Sequence, residues 1–196
     1  MRAYCKHCHY PVSTCVCSAI NTVSVDLGIT VIQHPKEASH AKNTVKLLQL
    51  CMPHIEVVSS TDQDGIRDLQ LRCDSQSSAV IYPNQNSCAL ESIPKHGKSQ
   101  LQHIILLDGS WRQAFGIMQQ HQWLQALPSY HFDDPHPSEY RIRHTSVTHA
   151  LSTLEAAAFC VSKLRGINVS TLYRAQEKLQ SFWQGPPSHR RGANKH

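Results

Sequence analysis

A chain of 196 residues and 22.1 kDa, 40% hydrophobic, holds one domain's worth of core with room for a small appendage, which excludes an intrinsically disordered protein. Its net charge of +5 sits at the ends: residues 1–17 carry Arg2 and Lys6 and no acid, 188–196 carry Arg190, Arg191 and Lys195 and no acid, and the stretch between is neutral. No apolar run reaches the ~20 residues of a membrane span, and MRAYCKHCHYP lacks an apolar signal core, so a cytoplasmic protein with no membrane partner is expected.

Basic ends on a neutral body suit either a polyanion such as nucleic acid or a solubilising tail. The first pattern in the chain is C-x2-C-x6-C-x-C, formed by Cys5, Cys8, Cys15 and Cys17. Thiolates at this spacing can meet at one tetrahedral point, the geometry of a closed structural Zn²⁺ site, and without a secretory signal disulfides are the poorer reading. His7 and His9 are possible substitute ligands, but four sulfurs suffice. Residues 1–20 are therefore expected to form a zinc knuckle that presents Lys6, His7 and His9 to a partner. The other cysteines, Cys51, Cys73, Cys88 and Cys160, stand singly and read as small buried hydrophobes.

After a linker near 18–24, residues 27–33 (LGITVIQ) predict a buried strand. A helix over 43–51 follows, with Asn43 as N-cap, then a short strand over 55–58. Residues 61–73 read as a helix opened by Thr61 and Asp64 as a capping box. A strand over 79–82 ends at Pro83-Asn84, and 87–100 reads as irregular loop. Residues 103–107 (HIILL) form the strongest buried strand, followed by a helix over 110–121, a strand over 130–132 and a loop over 133–138. Helices are expected over 151–164 and 170–183, and 185–196 reads as a basic, disordered tail.

Strands and helices alternate at the spacing of βαβ crossovers, so an α/β fold with a mostly parallel sheet covered by helices is expected. Ligands in such folds bind beyond the carboxyl ends of the strands. That selects the loops after Gln33, Tyr82 and Leu107, which begin His34-Pro35, Pro83-Asn84 and Asp108-Gly109-Ser110-Trp111. A fourth polar cluster, Tyr140-Arg141-Ile142-Arg143-His144, leads to Leu151-Ser152-Thr153-Leu154-Glu155. Neither a G-x-G-x-x-G nor a Walker A loop occurs, which argues against a standard dinucleotide or nucleoside triphosphate site. Read locally, Ser110 with Gln113 and Ser152 with Glu155 are also complete as helix capping boxes, and physics alone stops at an α/β domain with a polar cleft and a knuckle.

Taken together, the motifs resemble the DTW-domain family, the tRNA-uridine aminocarboxypropyltransferases. The matching pieces are the four N-terminal cysteines, His34-Pro35-x-Glu37 with Asn43-Thr44, Asp108-Gly109-Ser110-Trp111, and Leu151-Ser152-Thr153-Leu154-Glu155-Ala156. They run in the family's order over roughly residues 5–160, with Ser110 where the family's D-x-[TS]-W motif more commonly has Thr. The resemblance implies a SPOUT-like, knotted transferase domain over 24–184. It also implies transfer of the 3-amino-3-carboxypropyl group of S-adenosylmethionine to N3 of a tRNA uridine, giving acp3U and methylthioadenosine. The sulfonium is already an activated leaving group, so no metal is needed in the chemistry.

Within that reading Asp108 is the candidate general base or a positioner of the donor's amine. Ser110 orients Asp108 or the uracil, and Trp111 packs the turn, with base stacking as the alternative. The donor is expected against the loops at His34-Pro35, Tyr82-Pro83 and Leu107-Asp108 and at the start of the Ser152 helix, where backbone amides suit a carboxylate. Ser152 and Thr153 would line it, and Glu155 would meet its ammonium or complete the capping box. Lys6, His7, Arg141 and Arg143 are the candidate tRNA contacts, with the donor's carboxylate an equal claim on the two arginines. Methyl transfer, modification of rRNA, and a non-enzymatic RNA-binding module are the rival readings. No obligate protein partner is evident.

Overall fold

The computed structural model describes residues 3–40, 42–140 and 151–183. Six strands, β1 (Gly28–Gln33), β2 (Glu56–Ser59), β3 (Ser78–Ile81), β4 (Cys88–Ala89), β5 (His103–Asp108) and β6 (Ser129–His131), form one sheet in the order β2-β1-β5-β3-β6-β4. Every pairing is parallel. The central strands are apolar at successive positions because both faces are covered. Ile29, Val31, Ala79, Ile104 and Leu106 face one core, with α2 (Val45–Cys51), α6 (Thr153–Arg165) and α7 (Ser170–Ser181). Ile32, Val80 and Ile105, one residue out of phase, face the other, with α3 (Gln63–Arg72) and α5 (Trp111–Gln120).

Several local expectations change. The 34–39 loop contains a single helical turn, α1 (Pro35–Ala38), begun by Pro35 and capped where His34 Nδ1 accepts from Lys36 N at 3.3 Å. The helix expected over 61–73 starts later: Asp62 caps α3 by accepting from Gly65 N, while Thr61 bonds Ser59 instead. Similarly α2 begins at Val45, whose N–H donates to Asn43 Oδ1 at 2.7 Å.

The segment over 87–100 is not irregular. It holds β4, a 3₁₀ turn (Leu90–Ser92) and α4 (Lys95–Gln100), anchored by buried Leu90 and Ile93 within polar sequence. Cys51 and Cys160 are buried as expected, but Cys88 is exposed on the edge strand and Cys73 is half-buried.

The cysteine-rich segment shares the main core rather than standing apart: Cys8, Tyr10 and Val16 pack in the same cluster as β1, α2 and α7. Lys46 of α2 ties it down, donating to His9 O at 2.7 Å and lying 4.4 Å over the Tyr10 ring. Arg141, Arg143 and the 185–196 tail lie outside the described residues. Among the described residues no helix is long and apolar enough to cross a membrane.

Candidate functional site

The sheet itself selects a place. The helix α2 that follows β1 covers one face, and the helix α5 that follows β5 covers the other. Neighbouring strands whose connections leave toward opposite faces open a crevice at their carboxyl ends. In β1 and β5 those ends are Gln33 and Asp108, paired side by side in the register.

Asp108 is 3% exposed there. Gln33 Nε2 donates to its Oδ2 at 2.9 Å and Thr153 Oγ1 to its Oδ1 at 2.5 Å, so each carboxylate oxygen has one donor and the group has one orientation. Its main-chain carbonyl accepts from His34 N at 2.9 Å, which joins the loop after β1 to the turn after β5. Gly109 is required by closeness: a Cβ there would lie 2.9 Å from Gln113 Cβ. Ser110 then caps α5 in a full capping box with Gln113, whose Nε2 also reaches His34 Nδ1 at 3.2 Å.

A second polar network holds the start of α6. Glu155 is 2% exposed, yet it accepts four hydrogen bonds. Glu139 N and Gln176 Nε2 donate to Oε1, and Ser138 Oγ and Ser152 N donate to Oε2. Ser152 Oγ in turn donates to Gln176 Oε1 at 2.7 Å. Of the two expectations for Glu155, the structure has the capping box with Ser152; protein groups fill both oxygens in place of a donor ammonium, and the side chain locks the end of α6 that carries Thr153.

Two cavities flank α5. One, about 610 Å³, is lined by His34, Pro35, Lys36, Ser110 and Arg112 among others. The other, about 730 Å³, is lined by Tyr82, Pro83, Asn84, Phe115 and Met118 among others. The residues expected against one donor are thus divided between the two sides of a helix. Leu107 packs half-buried against the core beneath, and Ser152 and Thr153 line neither cavity. Trp111, expected to pack the turn or to stack on a base, is 45% exposed, with Phe115 one turn on at 56%. Lys6 and His7 are exposed on the knuckle, and Arg141 and Arg143 lie outside the described residues.

The Sγ atoms of Cys5, Cys8, Cys15 and Cys17 all lie within 4.8 Å of one another, Cys5 to Cys17 at 3.6 Å and Cys8 to Cys15 at 3.7 Å. Four sulfurs at ~2.3 Å from a tetrahedral ion stand about 3.8 Å apart, so the group could hold one metal ion. Backbone amides of Cys8 and His7 draw the Cys5 thiol down to about 6, whereas the neighbouring Cys15 thiol holds Cys17 up to about 12. Four adjacent thiolates need a cation among them. His9 takes a left-handed backbone, φ 54°, to turn the chain after Cys8.

The sequence pattern of the DTW domain matches residues 2–185. The chain belongs to the DTW-domain family. Curated relatives carry the name tRNA-uridine aminocarboxypropyltransferase 2. The Mus musculus protein is 28% identical over 189 residues, 92% of this chain and 63% of its own length. The Macaca fascicularis protein is 27% identical over the same extent. The Drosophila melanogaster protein is 31% identical over 170 residues, 83% of this chain and 67% of its own length. This DTW chain therefore spans about two thirds of the length of those relatives. No solved structure matches it.

Within the DTW fold, the sequence reading missed Gln176. It shares the inner face of α7 with Leu172, Ala175 and Leu179, and a polar residue on that i, i+3, i+4, i+7 stripe was the available signal. Nothing local marks Ser138, which meets Glu155 only through the tertiary fold.

Proposed function

We propose that the chain transfers the 3-amino-3-carboxypropyl group of S-adenosylmethionine to N3 of a tRNA uridine, giving acp3U and methylthioadenosine. The observation that carries this reading is the buried Asp108 of the DTW motif, fixed by Gln33 and Thr153 at the crevice between β1 and β5. The names of the curated relatives supply the reaction class.

When bound, the donor supplies a carbon already activated by its sulfonium. The protein's share is to bind, orient and take up the proton that uridine N3 loses as its bond to that carbon forms. Asp108 is assigned to that proton or to the donor's amine. The fixed carboxylate needs no reorientation for either task. The donor would lie against Tyr82, Pro83, Leu107 and the start of α6 at Ser152 and Thr153, with His34 and Pro35 closing the far side of the Asp108 turn. Ser110 holds that turn, and the exposed Trp111 offers a face for stacking a base. The four cysteines would hold structural Zn²⁺, and the knuckle would bring Lys6 and His7 to tRNA, with Arg141 and Arg143 as further candidate contacts.

Donor labelled in its carboxyl group or in its methyl group separates the possibilities. The reading expects only the carboxyl label in tRNA, at acp3U in nucleoside mass spectrometry. Methyl label in RNA, or label in neither arm, would overturn it. Asp108→Asn should abolish transfer while leaving tRNA affinity within about twofold.

A further inference from the structure

Six of the thirteen described lysines and arginines are occupied by the chain itself. Arg72 pairs with Glu56, and Arg165 donates to the carbonyls of Asp26, Lys98 and Leu101. Lys42, Lys46, Lys163 and Lys178 each lie over an aromatic ring. Lys36 and Arg112 are exposed and make no ion pair or ring contact among the described residues. They stand on different elements, α1 and the first turn of α5, and line the same cavity of about 610 Å³. Its remaining polar walls are amides, hydroxyls and one imidazole, among them Thr61, Ser110 and Gln120, and it contains no carboxylate.

We infer that this cavity receives a phosphodiester of the RNA strand next to the nucleotide being modified, held between Lys36 and Arg112. The inference rests on the tRNA reading above and gives that substrate a place. Two cations from different elements, with hydroxyl and amide donors lining the same cavity, match the oxygens of a phosphodiester and leave no acid in its lining to repel it. The cavity wall is also the wall of the Asp108 turn, because His34 N donates to Asp108 O and His34 Nδ1 meets Gln113. A strand fixed here is fixed beside Asp108. The aromatic residues lie on the next face of α5: Trp111 and Phe115 are exposed, and Phe115 lines the opposite cavity, which has no lysine or arginine. A strand crossing α5 would set its phosphate on one side and its bases on the other. That no Phe, Tyr or Trp lines this cavity fits a phosphate better than the adenosine of the donor.

The test uses the full chain and an unmodified tRNA transcript, with anisotropy read over a range of KCl concentrations. Lys36→Ala with Arg112→Ala should weaken tRNA binding at least tenfold at low salt. It should also reduce the slope of log K against log salt by about 0.7–0.9, one phosphate's worth. Calorimetric affinity for S-adenosylmethionine and the melting temperature should not change, and Lys36→Arg with Arg112→Lys should restore most of the slope. An unchanged slope in the folded alanine variant, or a loss confined to S-adenosylmethionine binding, overturns the inference while the transfer reading stands. A wild-type chain that neither binds tRNA nor labels it overturns both.

Discussion

Thr153 offers the sharpest test of how the Asp108 carboxylate is held. It stands at the first position of α6 and donates to Asp108 Oδ1 at 2.5 Å. Thr153→Val keeps the branched shape and the start of the helix and removes only the donor. A hydrogen bond to a charged group contributes ~1.5–3 kcal/mol. Thr153 is half-buried, so water can replace part of the loss, and the lower figure of ~1.5 kcal/mol applies. For a chain of this size that is a fall of ~3–6 °C in Tm. Gln33 still holds Oδ2, so the fold survives, but the carboxylate is free to turn. If transfer needs the observed orientation, ~1.5 kcal/mol of lost transition-state stabilisation is about tenfold in rate. Single-turnover transfer of carboxyl label to tRNA reads this directly, with KM for tRNA unchanged. Thr153→Ser restores the hydroxyl and should restore the rate. A wild-type rate in Thr153→Val, or a serine variant as slow as the valine one, would refute the argument that this bond sets the carboxylate.

Three further outcomes follow from the knuckle and the amino end of the sheet. Elemental analysis should find one metal ion per wild-type chain and none in Cys15→Ser, whose Tm should fall by ~10 °C or more because neighbouring Val16 and Cys8 are part of the main core. His9→Val should lower Tm and His9→Gly should not, since φ 54° costs a side-chain-bearing residue ~1–2 kcal/mol. Burial, then the charge of Arg72, holds His103 below its ordinary value of 6.5, so the unfolded chain takes the proton first and stability falls as pH drops below 6.5. His103→Gln should therefore narrow the gap between urea midpoints at pH 7.5 and pH 5.5, and an unchanged gap would refute this.

The α/β class, the two central strands and both capping boxes were legible because each rests on local chemistry. Five of the six residues of β1 are buried, three of them apolar, and Ser110 and Ser152 make the hydrogen bonds their spacing implies. The 87–100 segment was misread because two apolar anchors, Leu90 and Ile93, are outnumbered by polar residues that face solvent. The site was legible as a set of loops but not as a geometry. Nothing in the local sequence says that α5 stands between His34 and Tyr82, or that Glu155 is used up by Ser138, Glu139, Ser152 and Gln176. Apart from the local Ser152 contact, those of Glu155 span 16 to 21 positions in the chain, which only the packing of α6 and α7 on the sheet creates.

Charge shows the same gap between total and place. Counted along the chain, the region between the basic ends is neutral, which by itself says nothing for or against a polyanion. Counted in space, half of its described cations are spent on rings, carbonyls and one carboxylate, so those project little field toward a partner. Lys36 and Arg112 are among those left over, and they line one cavity with His34, which follows β1, and Ser110, which follows β5, the two strands whose topology had already selected the crevice. A local excess of two positive charges beside a buried carboxylate is a stronger guide to where RNA would lie than the +5 total, because screening confines exposed charges to about 10 Å or less at cellular salt. The knuckle and the crevice are then separate electrostatic contacts, and neutralising both should lower tRNA affinity by nearly the product of the two separate effects.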